Sequence, residues 1–224
     1  MKEIFYDWGG ANVWLFHAIN NIRFEWLDKL MLLGTNLGGH TLFPVYLVLL
    51  ALFALHALSK PEQDFTQYQA RARRWVAVIA VFSLSYWLDG LLLGYLKPVL
   101  DFPRPPLALL PQSLHIIGAP EYHHSLPSGH SSFAMMSVAS LWPLLNRSGR
   151  FAGAAFVLWV GFSRVSLGMH FPADVMAGYL LSLVVVLLAY MAIQRCIQGG
   201  LSSANRAILS ANYRAAATRF KNYR

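Results

Sequence analysis

From Pro172 to Gln194 the chain runs through Leu-Ser-Leu-Val-Val-Val-Leu-Leu-Ala-Tyr, with Asp174 as its only charged residue. A stretch of about 20 mostly apolar residues is long enough, as a helix, to cross the hydrocarbon core of a bilayer. In lipid every backbone N–H and C=O must be satisfied within the segment, so a helix is the expected form. Four further stretches have the same character, at 41–58, 75–96, 130–145 and 151–168. Pro44 falls in the first turn of its stretch, where it is tolerated. The stretches at 130–145 and 151–168 are shorter and carry Ser131, Ser132, Ser137, Gly153 and Gly161, as helices packed against other helices do. Only 12% of the chain is charged and 56% is hydrophobic, against about 25% charged for a soluble domain. That excludes an ordinary soluble globule, a disordered chain, collagen and a coiled coil. With Cys196 as the single cysteine, an intramolecular disulfide and a cysteine-based zinc site are excluded too. The expected fold is all-α, an integral membrane helical bundle with five or six transmembrane helices.

Residues 11–38 mix Trp14, Phe16, Ile19, Trp26, Leu27 and Leu30 with Asn20, Arg23, Glu25, Asp28 and Lys29. This spacing suits amphipathic helices in the membrane interface. No basic segment followed by a cleavable apolar run opens the chain, so no secretory signal peptide is expected. The organisation is read as an interfacial N-terminal region at 1–40, a transmembrane domain at 41–194 and a basic tail at 195–224. Twelve of the eighteen Lys and Arg, including Arg71, Arg74, Arg147 and the tail, fall on one set of helix ends. Cations gather on the cytoplasmic side, so the C-terminus is expected there and the N-terminal region outside. The tail suits anionic lipid headgroups rather than nucleic acid.

Three polar clusters then fall on the external face: Lys97 to Arg104-Pro105, Pro127-Ser128-Gly129-His130, and Ser163-Arg164 through His170 to Asp174. Singly, each has a plain explanation: snorkelling cations, a helix cap, a hydrogen bond across one turn. Together they place three cations, two histidines and a carboxylate on one side of a bilayer, which suits phosphoryl transfer, where a protein mainly positions the group and stabilises its charge. Lys97, Arg104 and Arg164 supply positive charge, arginine in bidentate form. Ser128 and Gly129 stand at a helix N-terminus that favours an anion. His170 and Asp174 are four apart at a helix start opened by Pro172, so the carboxylate can orient the imidazole as nucleophile. His130 is left as general acid and then base. The scheme uses no metal and no cofactor. The prolines of 98–106 are expected to break the preceding helix, so that Lys97 and Arg104 project from an irregular segment.

The three motifs, Lys-x6-Arg-Pro, Pro-Ser-Gly-His and Ser-Arg-x5-His-x3-Asp, resemble the signature of the type 2 phosphatidic acid phosphatase superfamily across residues 97–174, with every spacing intact. The resemblance implies a helical bundle and a phosphohistidine at His170, with His130 as acid and base and Asp174 orienting His170. It also implies phosphate binding by Lys97, Arg104, Ser128, Gly129 and Arg164, without a metal. It makes a phosphorylated membrane lipid the expected partner. Undecaprenyl pyrophosphate ranks first, for an enzyme of a bacterial cytoplasmic membrane with its site outside. Phosphatidylglycerophosphate, phosphatidic acid, lipid A 1-phosphate and transfer to a second lipid are the alternatives. The external loop 107–126 is expected to border the headgroup site, with His115, His123 and His124 as surface or gating residues rather than metal ligands. Asp89, an acid within a span, is expected to pair inside the bundle, and Asp101 and Glu121 to be solvated.

Overall fold

A computed structural model describes residues 6–221, with side chains up to Gly200. The elements are α1 (Ala11–Asn20), α2 (Glu25–Leu37), α3 (Phe43–Ser59), α4 (Phe65–Leu100), the single turn α5 (Pro105–Ala108), α6 (Gly129–Leu141), α7 (Arg147–Ser166) and α8 (Pro172–Lys221). No strand occurs among the described residues. Local chemistry marks the starts. Asp64 caps α4 by accepting from the Thr66 N–H at 2.8 Å, Asn146 caps α7 by accepting from the Gly149 N–H at 2.8 Å, and Pro44 lies in the first turn of α3.

Among the described residues three helical segments are long and apolar enough to cross a membrane, His40–Ser59, Phe65–Ala108 and Pro172–Gly200. They contain the stretches expected at 41–58, 75–96 and 172–194. The other two expected spans form α6, of 13 residues, and α7, which carries Arg147, Arg150 and Arg164. α6 is mostly buried by its neighbours, whereas α7 keeps an exposed face that includes Phe151 and Leu158. The core packs Val78, Val81 and Phe82 of α4, Phe133 and Met136 of α6, and Val186 and Ala189 of α8. Small residues set the crossings: a Cβ on Gly178 of α8 would lie 2.5 Å from the Ser128 carbonyl oxygen at the start of α6. One on Gly161 of α7 would lie 2.6 Å from Val175 Cγ1 of α8.

The N-terminal helices join this bundle. α2 runs antiparallel to α7, with Met31 packed on Leu167, Thr35 accepting from Arg164 Nη1 at 2.5 Å and Gly38 facing Val160. α4 continues through Pro98 and ends at Asp101, whose φ is +37°. Lys97 therefore projects from the last turn of a helix, not from an irregular segment as expected, whereas Arg104 does follow the break. A proline loses only one ladder bond, and it does so here in the final turn, where little helix remains to be disrupted. α8 extends through most of the expected tail; the side chains of 201–221, and residues 222–224 altogether, lie outside the described residues.

Candidate active site

The C-terminal ends of α4 and α7 and the N-terminal ends of α6 and α8 meet at one face, and their polar residues surround a cavity of about 520 Å³. Lys97, Arg104, Gly129, His130, Arg164 and His170 all line it, together with His40, Glu121 and His124. Asp174 sits behind His170, and Ser128 is buried beside the cavity without lining it.

The turn from α7 to α8 places His170. Gly168 takes the left-handed conformation (φ +76°), and the Gly168 N–H donates to the Val165 carbonyl at 3.0 Å while the Met169 N–H donates to that of Arg164 at 3.0 Å. This pair of bonds closes a helix with a Schellman motif. The His170 N–H also donates to the Arg164 carbonyl, at 3.2 Å. The ring then lies with Nδ1 3.4 Å from Asp174 Oδ2 and Nε2 3.3 Å from Arg104 Nη1. Asp174 is itself fully buried and held by three donors. Oδ2 accepts from Ser125 Oγ at 2.5 Å and the Phe171 N–H at 2.8 Å, and Oδ1 accepts from the Tyr6 hydroxyl at 2.9 Å. Such bonds are what a carboxylate taken out of water requires.

Burial, reinforced by Arg164, Arg104 and Lys97, holds the His170 imidazole well below its ordinary pKa. The ring stays neutral and Nε2 keeps its lone pair, as a nucleophile must. The unfolded chain, with an imidazole near pKa 6.5, takes up this proton first. The stability linked to His170 is therefore intact above about pH 6.5 and falls as the pH drops below it. Thermal unfolding in detergent from pH 8 to pH 5 is expected to show Tm falling below that point, and less so in His170→Asn. Equal slopes in the two proteins would show that the ring is not held neutral.

The cations are positioned from several sides. The Arg104 side chain donates to the His123 carbonyl at 2.9 Å and pairs with Glu121 at 2.6 Å, so Glu121, exposed as expected of a solvated charge, is an ion-pair partner as well. Asp101 faces His124 at 3.2 Å and His123 at 3.4 Å. Arg164 is held by Thr35, and no acid pairs with Lys97 or Arg164 among the described residues. The Ser128 N–H is committed to the Asp174 carbonyl at 2.9 Å, and its hydroxyl accepts from Ser131 at 3.0 Å. Ser128 thus braces α6 against α8, leaving the first-turn N–H groups beyond it to face an anion.

Several site residues had no signal in the sequence. Tyr6 and Ser125 grip Asp174, Thr35 grips Arg164, and buried Asn20 clamps the loop by donating to the carbonyls of His115 at 2.8 Å and Ser166 at 2.9 Å. Asn20 and Asn12 interrupt an apolar helix face, which was the one available hint. Tyr6→Phe is expected to lower kcat about ten-fold with KM little changed, the worth of one hydrogen bond to a charged group. A change in KM alone would assign Tyr6 to substrate binding instead.

An all-helical bundle with membrane-length helices and a buried His–Asp pair beside a cationic cavity defines a class of membrane-embedded anion sites. Within that class the chain belongs to the PAP2 superfamily, whose profile matches residues 79–198. Similar curated proteins are a lipid A 1-phosphatase of Rhizobium johnstonii, 32% identical over 136 residues that make up 57% of this chain and 52% of that protein, and glucose-6-phosphatase 3 of Bos taurus, 27% identical over 193 residues, 75% of this chain and 49% of that one. The chain spans about half the length of these curated relatives. Among solved structures, Aquifex aeolicus LpxE shares the fold with a TM-score of 0.63 and 23% identity, covering 80% of this chain and 94% of that one. So does a PAP2-type phosphatidylglycerolphosphate phosphatase from Bacillus subtilis, with a TM-score of 0.62 and 22% identity over 85% and 88% of the two chains.

Proposed function

We propose that this protein is a metal-independent lipid phosphatase of the bacterial cytoplasmic membrane, acting at the extracytoplasmic face through a phosphohistidine, with undecaprenyl pyrophosphate as its first-ranked substrate. The observation that carries this reading is the His170 ring, tied through Nδ1 to Asp174 and presenting Nε2 beside Arg104 in the cavity. Nε2 attacks phosphorus as the bond to the leaving oxygen breaks, and His130 protonates that oxygen. Water then attacks the phosphohistidine, His130 takes its proton, and the P–N bond breaks to release phosphate and free His170. Lys97, Arg104, Arg164 and the α6 N-terminus stabilise the equatorial charge, the task a metal performs in other phosphoryl transfers.

The external site is supported by the twelve cations on the opposite set of helix ends. The lipid A 1-phosphatase relative favours a second reading, in which the substrate is a lipid-borne sugar 1-phosphate. Phosphatidylglycerophosphate, phosphatidic acid and transfer to a second lipid complete the set to be tested. Phosphate release is measured in detergent with EDTA from undecaprenyl pyrophosphate, lipid A, phosphatidylglycerophosphate and phosphatidic acid. Release is expected to be insensitive to EDTA and fastest from undecaprenyl pyrophosphate. No release from any of them by folded protein would replace the hydrolase with a phosphotransferase.

A further inference from the structure

One carboxylate and one imidazole at the cavity have no part in the His170 reaction. Asp89 is fully buried in α4, a placement that strongly disfavours a carboxylate without partners. It accepts from Ser132 Oγ at 2.6 Å and faces His40 Nε2 at 3.4 Å. His40 opens the turn between α2 and α3, and its ring packs on Phe133 with centroids 5.1 Å apart and on Tyr86 at 6.1 Å. With Nε2 on Asp89, the opposite ring edge lies over the start of α6. A Cβ on Gly129 would stand 3.3 Å from His40 Cε1, 3.7 Å from His40 Nδ1 and 3.7 Å from Lys97 Nζ. His40 and Lys97 therefore flank one point, while Arg104 touches His170 at another. His130 lines the same cavity as Arg164, His170, His40 and Lys97.

We propose that His40, oriented by Asp89, binds the phosphate on the leaving-group side, so that the site is matched to a lipid diphosphate rather than a lipid monophosphate. This rests on the phosphatase reading above. Nε2 of His170 attacks the terminal phosphorus, the bond to the bridging oxygen breaks, and the electron pair goes to that oxygen. His130 protonates it, and a lipid monophosphate departs. His40 and Lys97 stabilise the charge on the departing phosphate. A cavity of about 520 Å³ has room for both phosphates, being in the range of pockets that hold drug-sized ligands.

The test compares kcat/KM for farnesyl diphosphate and farnesyl monophosphate in wild type, His40→Gln and Asp89→Asn. The diphosphate-to-monophosphate ratio is expected to fall about ten-fold or more in both variants, the effect of one charge-assisted hydrogen bond. A ratio changed by less than about three-fold would overturn the proposal, since loss of folded protein lowers both rates together. A second measurement needs no turnover. Pyrophosphate is expected to raise the Tm of the wild type more than orthophosphate does, and His40→Gln to remove the difference. Equal shifts in the wild type would overturn the subsite even if lipids are hydrolysed. Preferential pyrophosphate binding without phosphate release from either lipid would overturn the hydrolase reading and leave the subsite standing.

Discussion

His170→Ala is expected to lower phosphate release by about 10⁴-fold or more, since it removes the atom proposed to form the covalent intermediate. The ring is buried, with Nε2 at Arg104 and Nδ1 at Asp174, and among the described residues no other imidazole pairs with that carboxylate. His130→Ala is expected to lose activity as well but to differ in kind. It would lack the base proposed to activate water in the second step, so a substrate with a good leaving group, such as p-nitrophenyl phosphate, should load His170 and stop there. Acid-labile, base-stable radiolabel is expected on His130→Ala and absent from His170→Ala. Label on neither, with the wild type active, would point to direct attack by water.

Gly168→Ala is expected to be nearly as damaging, although it touches no substrate. A residue with a Cβ in the left-handed region costs roughly 1–2 kcal/mol, and the new Cβ would lie 2.4 Å from the His115 carbonyl oxygen. Backbone cannot yield as a flexible side chain does. Either the loop around His115 lifts off or the α7–α8 turn shifts, and the turn carries His170 two residues later. Misplacing a reacting group by about 1 Å can cost about 10²-fold in rate. A fall in kcat of that size is expected, with a lower Tm. Gly199→Ala, where nothing lies within 4 Å, serves as the control and should match the wild type. Full activity in Gly168→Ala would show that the turn tolerates another conformation.

Much of the site was legible because its key spacings are local. His170 and Asp174 are one helical turn apart whatever surrounds them, and Ser128, Gly129 and His130 are joined by covalent bonds. Membrane thickness made the apolar stretches legible in the same way, since it fixes the length a helix needs. What surrounds those groups was not legible. Tyr6 reaches Asp174 across 168 positions and Thr35 reaches Arg164 across 129, and nothing in residue type sets either apart from the other tyrosines and threonines of the chain. Pro98 misled by its general tendency to break a helix, which carries little weight three residues from a helix end.

The sequence alone thus determined that this chain forms membrane-length helices and carries cations, histidines and a carboxylate at their ends, the set proposed to bind phosphate. Those properties follow from the lipid solvent and from short covalent distances. Only the tertiary structure decided that four helix ends converge on one cavity, that Ser128 bonds to the start of α8, and that His40, in contact with Asp89, lines the same cavity as His170. Contacts between residues far apart in the chain are set by packing, by the glycines that let α6, α7 and α8 cross closely, and by buried polar groups that must find partners. No local pattern records which partner each will find.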